Sequence, residues 1–561
     1  MQADISAAIA ARYQDLNIEW NVDVTAYPSI VSLFEEAMRN FADLPVCSSL
    51  GHALTYQELD RLSADFASWL QIDSGLAKGD RVAIQMPNLM QYLVACMGTL
   101  RAGMVVVNTN PLYTERELEH QLNDSGARVL VVQANVAEVA SKVVAKTKVE
   151  RVVLTEIADL HPVPKRWLVN GVVKYVKKMV PKVHFSNVIK FNQALRRGAT
   201  QAFTPVDVSL DDLAMLQYTG GTTGLAKGAM LSHGNIVANV MQLDGFFETF
   251  GIEAQGSVFM QPLPVYHIYA FTISMYSLKK GAHTLFIPNP RDLGSVVEAF
   301  EQYKPTVFCG LNTLFVALCN DPRFQSLTFE NLALTMSGGM ALTQDAAERW
   351  AEVTECKVYE GYGLTETSPT ATSNPGNGRQ LGTIGIPVPQ TEVKTVNEHG
   401  ETLGFGDAGE LCIKGPQVMQ GYWQRPEATA EVLDESGWFS TGDVAVIQPD
   451  GYLKIVDRIK DMIIVSGFNV YPNELEDVCA KHSGVLECAA VGVPSETTGE
   501  GIRMYVVKSD AALTEDDVIA YMREQVTGYK VPKSIVFRDD LPKTNVGKIL
   551  RRELRDEAAN D

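Results

Sequence analysis

Residues 218–228 read Y-T-G-G-T-T-G-L-A-K-G, a composition suited to holding a phosphate tail. Gly220, Gly221, Gly224 and Gly228 let the backbone bend and expose its amides, and clustered N–H groups form an anion-binding concavity. Thr219, Thr222 and Thr223 add hydroxyl donors, and Lys227 adds a mobile cation. The apolar run 213–218 reads as a buried strand, and 229–231 as a returning strand. Ser232 is then the N-cap of a helix through 235–243. A loop between two strands is unlike a P-loop, which opens a helix, and Ala226 before the lysine breaks the P-loop pattern as well. A plain Gly/Thr turn is the alternative reading of this loop taken alone.

Further chemistry is scattered downstream. Gly338 and Gly339 lie in M-S-G-G-M after an expected strand, and E-G-Y-G-L-T-E at 360–366 follows another. Ends of parallel strands are where open α/β sheets bind ligands. In the second motif Gly361 lets backbone approach a flat ring on which Tyr362 can stack. Thr365 can donate to a phosphate, and Glu366 is a hard oxygen ligand suited to Mg²⁺; a helix N-terminus with a surface glutamate is the structural alternative. Asp443, in S-T-G-D, is a natural acceptor for a ribose diol, with Arg458 able to help, although an aspartate on a Gly turn is usually just an Asx-turn. Lys548 ends P-K-T-N-V-G-K before a basic helix, among Lys543, Arg551, Arg552 and Arg555. By itself it also reads as part of a solvated basic tail.

Those residues need a layered scaffold. Expected strands at 81–86, 104–107, 128–132 and 151–154 alternate with helices at 88–101, 115–125 and 136–146, the second opened by a Thr114/Glu117 capping box. Strands separated by helices imply a parallel sheet. A second such run has strands at 257–260, 283–287, 305–309, 332–336 and 357–359, with helices at 295–302 and 343–352 between them. From 382 to about 457 short strands punctuated by glycine suggest a small barrel. After Asp457 a unit of two or three strands, with helices at 472–481 and 514–525, is long enough to fold alone. The fold class is α/β: a large domain at 1–457 of layered, largely parallel sheets, a joint at 458–461 and a smaller α+β domain at 462–561.

A formal net charge of −19 argues against a general nucleic-acid binder. With 46% apolar and 20% charged residues the chain is not disordered. The N-terminus has no positive region or apolar core of a signal peptide, and no apolar run reaches the ~18–20 residues of a spanning helix. The eight cysteines include no C-x-x-C pair, so free thiols in a reducing cytoplasm are expected.

In this order and spacing, the glycine loop, Y-G-L-T-E, T-G-D, D-R-x-K-D and C-terminal P-K-T-x-x-G-K resemble acyl-CoA synthetases of the adenylate-forming superfamily, especially those acting on long-chain fatty acids. The glycine loop resembles the superfamily's T-S-G-T-T-G-x-P-K-G, with Gly220 and Ala226 in place of serine and proline. The stretch 437–476, ending V-S-G-F-N-V-Y-P-N-E-L-E, is similar to the fatty-acyl-CoA synthetase signature. The resemblance implies an AMP-forming ligase with ATP, a fatty acid and CoA as substrates and Mg²⁺ accompanying ATP. It implies that 219–227 hold the β/γ-phosphates, Thr365 and Glu366 the phosphate and Mg²⁺, and Asp443 and Arg458 the ribose. Gly338, Gly339 and Glu360 complete the nucleotide site, with Gly361 and Tyr362 at the adenine. Lys548 then reaches both carboxylate and α-phosphate, and the C-terminal domain swings about Lys460 between two half-reactions. Gly467 and Phe468 border the CoA approach. His267, in P-V-Y-H-I-Y, borders the acyl site, where a structural histidine is an equal reading. A carrier-protein loader and a non-catalytic lipid-binding scaffold are the competing classes. The sequence leaves the oligomeric state open, a homodimer included.

One charge pattern stands apart from the motifs. Between Leu160 and Val206 there is no Asp or Glu, yet there are nine Lys or Arg. Pro164 and Pro181 bracket a helix whose Leu168, Val172, Tyr175 and Met179 share a face, with Lys174, Lys177 and Lys178 beside or opposite. Residues 164–182 therefore read as a peripheral contact with an anionic membrane on its cytoplasmic face, or as a solvated loop.

Overall fold

Our computed structural model describes residues 4–219, 226–466, 468–495, 497–544 and 548–560. Two large sheets carry most of the chain. One has seven strands in the order Val188–Lys190, Arg151–Thr155, Val129–Gln133, Arg81–Gln85, Val105–Thr109, Leu213–Thr219 and Lys227–Ser232. All its pairs are parallel except the last, where the glycine loop turns the chain straight back. Its central strands Val105–Thr109 and Val129–Gln133 are Val-rich and buried at every position, as helix-covered parallel strands must be.

The other large sheet has nine strands. Its parallel centre comprises Val307–Gly310, Leu334–Ser337 and Val358–Gly363 on one side of Val258–Gln261 and His283–Phe286 with Pro45–Ser49 on the other. Helices fill the space between the two sheets. Met90–Arg101 is buried at every position and touches strands of both, which is why its sequence shows no polar stripe. Capping boxes at Thr55/Glu58, Thr114/Glu117 and Ser232/Asn235 fix where three helices begin.

Two sequence expectations need correction here. The region from 382 to 457 forms an open four-stranded antiparallel sheet, Glu392–Val396, Gly409–Lys414, Phe439–Ile447 and Leu453–Arg458. Its first and last strands do not pair, so no closed barrel forms among the described residues. Short glycine-punctuated strands look alike in open and closed sheets. The E-G-Y-G stretch lies within the strand Val358–Gly363 rather than after it. That strand leaves a parallel partner and continues antiparallel to Thr370–Ser373, so only its first half follows the parallel pattern.

Past the joint, a five-stranded sheet is built on the hairpin of Val485–Ser495 and Gly499–Lys508, with Ser534–Arg538 added in parallel. It has more strands than the sequence suggested, and its own apolar clusters. All eight cysteines are free and buried. Among the described residues no helix is long and apolar enough to cross a membrane.

Candidate functional site

A cleft of about 2140 Å³ opens where the two large sheets, the four-stranded sheet and the C-terminal unit meet. Most motifs singled out from the sequence line it. They include Thr219, Lys227, His267, Gly338, Gly339, Glu360, Gly361, Tyr362, Thr365, Glu366, Asp443, Arg458, Lys460 and Lys548. Gly220, Gly221, Thr222, Thr223 and Gly224 lie outside the described residues, as does Gly467. What the structure gives of the loop is its frame: Thr219 and Lys227 face each other across the antiparallel pair.

Sheet register explains the polar centre of the cleft. Asp443 and Arg458 are directly paired residues on neighbouring strands, and Arg458 Nε lies 3.1 Å from Asp443 Oδ1. The other oxygen of Asp443, itself buried, accepts a 2.6 Å hydrogen bond from the Tyr362 hydroxyl. The ring on which a base can stack is thus tethered to the carboxylate suited to a sugar diol. Gly442, within the strand Phe439–Ile447, takes φ of +72°, a conformation that favours glycine.

Glu366 sits in a short 3₁₀ turn at Thr365–Thr367 rather than at an α-helix N-terminus. It is buried, and burial raises its carboxyl above the ordinary range. The Tyr422 hydroxyl opposes that by donating to Oε1 at 2.7 Å. Tyr422 also presents its ring to the Lys227 ammonium, 5.0 Å from the centroid. Glu360 accepts the Leu342 N–H at 3.3 Å, and burial pushes its carboxyl up to about 8.

Lys548 enters this cleft from the C-terminal unit. Its backbone is held by Thr544, whose Oγ1 accepts the Lys548 N–H at 3.1 Å and whose N–H donates to the Lys548 carbonyl at 2.7 Å. A side chain built at Gly339 would place its Cβ 4.0 Å from Lys548 Cε. Burial pushes the ammonium down to about 8, helped by Arg458 and opposed by Asp443 and Glu366. It is no solvated tail. His267 caps the helix Ile268–Lys279, its Nδ1 accepting the Tyr269 N–H. Burial, and then Lys548, push it down to about 4, so the ring is neutral. Its structural role and its place on the cleft coexist.

Gly363 shows why the motif needs glycine. A Cβ there would lie 1.8 Å from the Pro369 carbonyl oxygen, because the chain doubles back through the 3₁₀ turn. Lys460 lies in the one-turn segment Ile459–Asp461 joining the two units. Phe468 is exposed and stacks on Tyr529, ring centroids 4.8 Å apart.

Sequence reasoning missed the brace behind the glycine loop. Asp124 accepts from the Tyr218 hydroxyl at 2.7 Å and from Arg425 at 2.6 Å, while Trp423 donates to the Gly228 carbonyl. His120 Nε2 lies 3.0 Å from the Ala226 oxygen. Neither spacing nor charge marks these residues as chemical in the sequence. Cations at Lys227, Arg458 and Lys548 around carboxylates at Glu366 and Asp443 suit a polyphosphate ester of a sugar.

Comparison with known proteins agrees with that geometry. Residues 34–423 match the model of the family described as AMP-binding enzyme, and 474–548 that of the AMP-binding enzyme C-terminal domain. The chain is 51% identical over 548 residues to a long-chain-fatty-acid–CoA ligase of Salmonella typhimurium, covering 97% of each. It is 49% identical over 539 residues to the protein of that name from Haemophilus influenzae, covering 96% of each. ATP-bound MatB from Rhodopseudomonas palustris superposes with a TM-score of 0.80 at 30% identity, over 94% of this chain and 98% of that one. The anthranilate CoA ligase AuaEII, in complex with anthranoyl-AMP, shares the fold with a TM-score of 0.84 at 23% identity, over 95% of this chain and 97% of that one. This chain belongs to the AMP-binding enzyme family.

Proposed function

We propose that the protein activates a long-chain fatty acid with ATP and transfers the acyl group to CoA. The identity of about 50% to long-chain-fatty-acid–CoA ligases over almost the whole chain carries this reading, and the placement of Lys548 beside Glu366 and Asp443 supports it.

In the first half-reaction a carboxylate oxygen attacks the α-phosphorus, the bond to the bridging oxygen breaks, and pyrophosphate leaves. Attacker and target are both anions, so catalysis is positioning and charge neutralisation. Lys548 supplies the cation between them, and Lys227 with the amides of 219–224 holds the departing phosphates. Asp443, Tyr362 and Arg458 hold the nucleoside, with Gly338, Gly339, Glu360 and Gly361 shaping its pocket. In the second half-reaction the CoA thiol loses its proton, sulfur attacks the acyl carbon, and the carbon–oxygen bond to AMP breaks. Lys548 is not needed there, and residues 462–561 swing about 458–461 to bring Gly467 and Phe468 to the CoA approach.

Mg²⁺ fits the donor set. Glu366 is a single buried carboxylate beside the Thr365 hydroxyl, and Mg²⁺ commonly binds through one or two carboxylates plus substrate phosphates. The ion would neutralise phosphate charge. Acyl-CoA formation from palmitate, ATP, Mg²⁺ and CoA tests the reading, with a series of acids from short to long chain setting the acyl preference. No thioester with any acid of the series would overturn it.

A peripheral membrane contact through 164–182 belongs to the same reading. The helix Lys165–Gly171 runs into a π-helical stretch, Val172–Val176, and neither buries any residue. Trp167, Leu168, Tyr175 and Val176 are 67%, 68%, 72% and 73% exposed, while Val172, expected on the outer face, is half-buried. Lys165 anchors one end to the Leu50 and Gly51 carbonyls. Exposed aromatic and aliphatic side chains among lysines suit an anionic lipid surface, each cation adding ~1 kcal/mol. Reversing Lys174, Lys177 and Lys178 to Glu is expected to abolish salt-sensitive binding to phosphatidylglycerol vesicles and leave turnover of soluble acids intact. Equal binding by both proteins would refute the contact.

A further inference from the structure

The strand Leu453–Arg458 turns consecutive side chains to opposite faces. Arg458 reaches Asp443 in the cleft. Asp457 is fully buried and meets the C-terminal unit instead. Its Oδ2 accepts the Asn473 N–H at 2.8 Å, at the first turn of the helix Pro472–Cys479, so a carboxylate from before the joint caps a helix from beyond it. Asn473 Nδ2 also donates to the Val456 carbonyl at 3.3 Å.

Arg551, three residues past Lys548, completes the arrangement. Its Nη1 lies 3.7 Å from Asp457 Oδ1. Its other partners are Glu476 at 3.0 and 2.6 Å, Asn473, and Asp461 at 3.5 Å, and all of these follow Lys460. Among the described residues, Asp457 is the partner of Arg551 that precedes the hinge position. Rotation about Lys460 would part Asp457 from both Asn473 and Arg551, whereas Arg551, Glu476, Asn473 and Asp461 travel together. Burial raises the Asp457 carboxyl to about 6, while Arg551 and the Asn473 N–H oppose that by favouring the anion, so the contact is strongest with Asp457 ionised.

We propose that Asp457 is a positioning residue for the first half-reaction: a latch that, through the 472–479 helix and Arg551, holds the C-terminal unit where Lys548 enters the cleft. This rests on the roles given above to Lys548 and Lys460. It adds that the two half-reactions are balanced by a contact touching neither substrate. Weakening the latch should slow adenylation and spare, or speed, thioester formation.

The test measures acid-dependent ATP–pyrophosphate exchange and acyl transfer from supplied acyl-AMP to CoA separately. Asp457→Asn keeps an oxygen acceptor for the Asn473 amide and removes the charge facing Arg551. Its exchange kcat should fall about tenfold, with the KM for ATP within about twofold and transfer undiminished. Arg551→Lys, which keeps the charge but loses the fork, should shift the ratio of the two rates in the same direction. The double variant should lose less than the product of the single losses. Unaltered exchange in Asp457→Asn, or equal loss of both half-reactions in both variants, overturns the latch. No exchange in the wild type overturns the activity itself and the latch with it; normal wild-type exchange matched by Asp457→Asn overturns the latch alone.

Discussion

The Tyr422 hydroxyl donates a 2.7 Å hydrogen bond to Oε1 of Glu366, joining a residue of no sequence motif to the carboxylate proposed to carry Mg²⁺. Burial raises the Glu366 carboxyl and this bond lowers it. Tyr422→Phe should therefore let it rise further, so that the anion is lost at a higher pH than in the wild type. A hydrogen bond to a charged group contributes about 1.5–3 kcal/mol, so the Mg²⁺ concentration needed for half-maximal exchange should rise about tenfold or more. The defect should shrink as pH increases, because Glu366 then regains its charge. A Mg²⁺ dependence identical to that of the wild type would rule this out.

Lys548→Ala should lower acyl-AMP formation by ~10²-fold, the scale of removing one preorganised charge from a transition state. Transfer from supplied acyl-AMP to CoA should persist. Equal damage to both half-reactions would sink the assigned role. Acetylation of Lys548 removes the same charge, and protein acetylated at that position should show the same split.

The same lysine sets a pH limit. Its pKa is pushed down to about 8 by burial, with Arg458 adding to the effect, so the free enzyme holds the cation below that value and loses it above. The kcat/KM for adenylation, which reports the free enzyme, should fall as pH rises through about 8. The transfer step should show no such limb from Lys548. A kcat/KM flat to pH 10 would contradict the assignment.

Lys460→Pro fixes φ near roughly −65° and removes a backbone donor within the joint. Adenylation should survive and thioester formation fail. Comparable activity in both steps would dismiss the hinge, and loss of both together would point to misfolding.

Gly363→Ala places a methyl 1.8 Å from the Pro369 oxygen, so the strand and the 3₁₀ turn must separate. Overpacking of this kind typically costs about 1–3 kcal/mol, and it displaces Thr365 and Glu366. A lowered unfolding midpoint together with weaker nucleotide binding is expected. A variant matching the wild type in both would show that the turn relaxes freely.

Local signals served the sequence reading best. The Thr114/Glu117 capping box placed a helix at Glu115–Ser125, because a cap is written in two residues three positions apart. The two strands around the glycine loop were legible from their apolar runs. Non-local pairing was not. The change of Val358–Gly363 from a parallel to an antiparallel partner depends on a turn that no periodicity announces. The open edge of the four-stranded sheet depends on which strands fail to meet. Tyr422, Asp124 and Asp457 act through partners 56, 94 and 94 positions distant, so nothing near them in the chain marks their roles. The outward apolar face of 165–176 was partly read. Leu168, Tyr175 and Met179 are exposed as expected, Val176 is exposed as well, and Val172, where the π-helical stretch begins, is half-buried.

The burial of all eight cysteines bears on how this enzyme can be watched. A thiol reagent reacts with exposed thiolate, and burial raises the thiols of Cys47, Cys96 and Cys309 well above their ordinary range. In a mixture of native protein and CoA, the accessible sulfhydryl is then the co-substrate's own. A chromogenic disulfide therefore counts CoA consumption directly, with the folded protein nearly silent. The same reagent, given to protein alone, becomes a clock for unfolding, each thiol reporting when its part of the core opens.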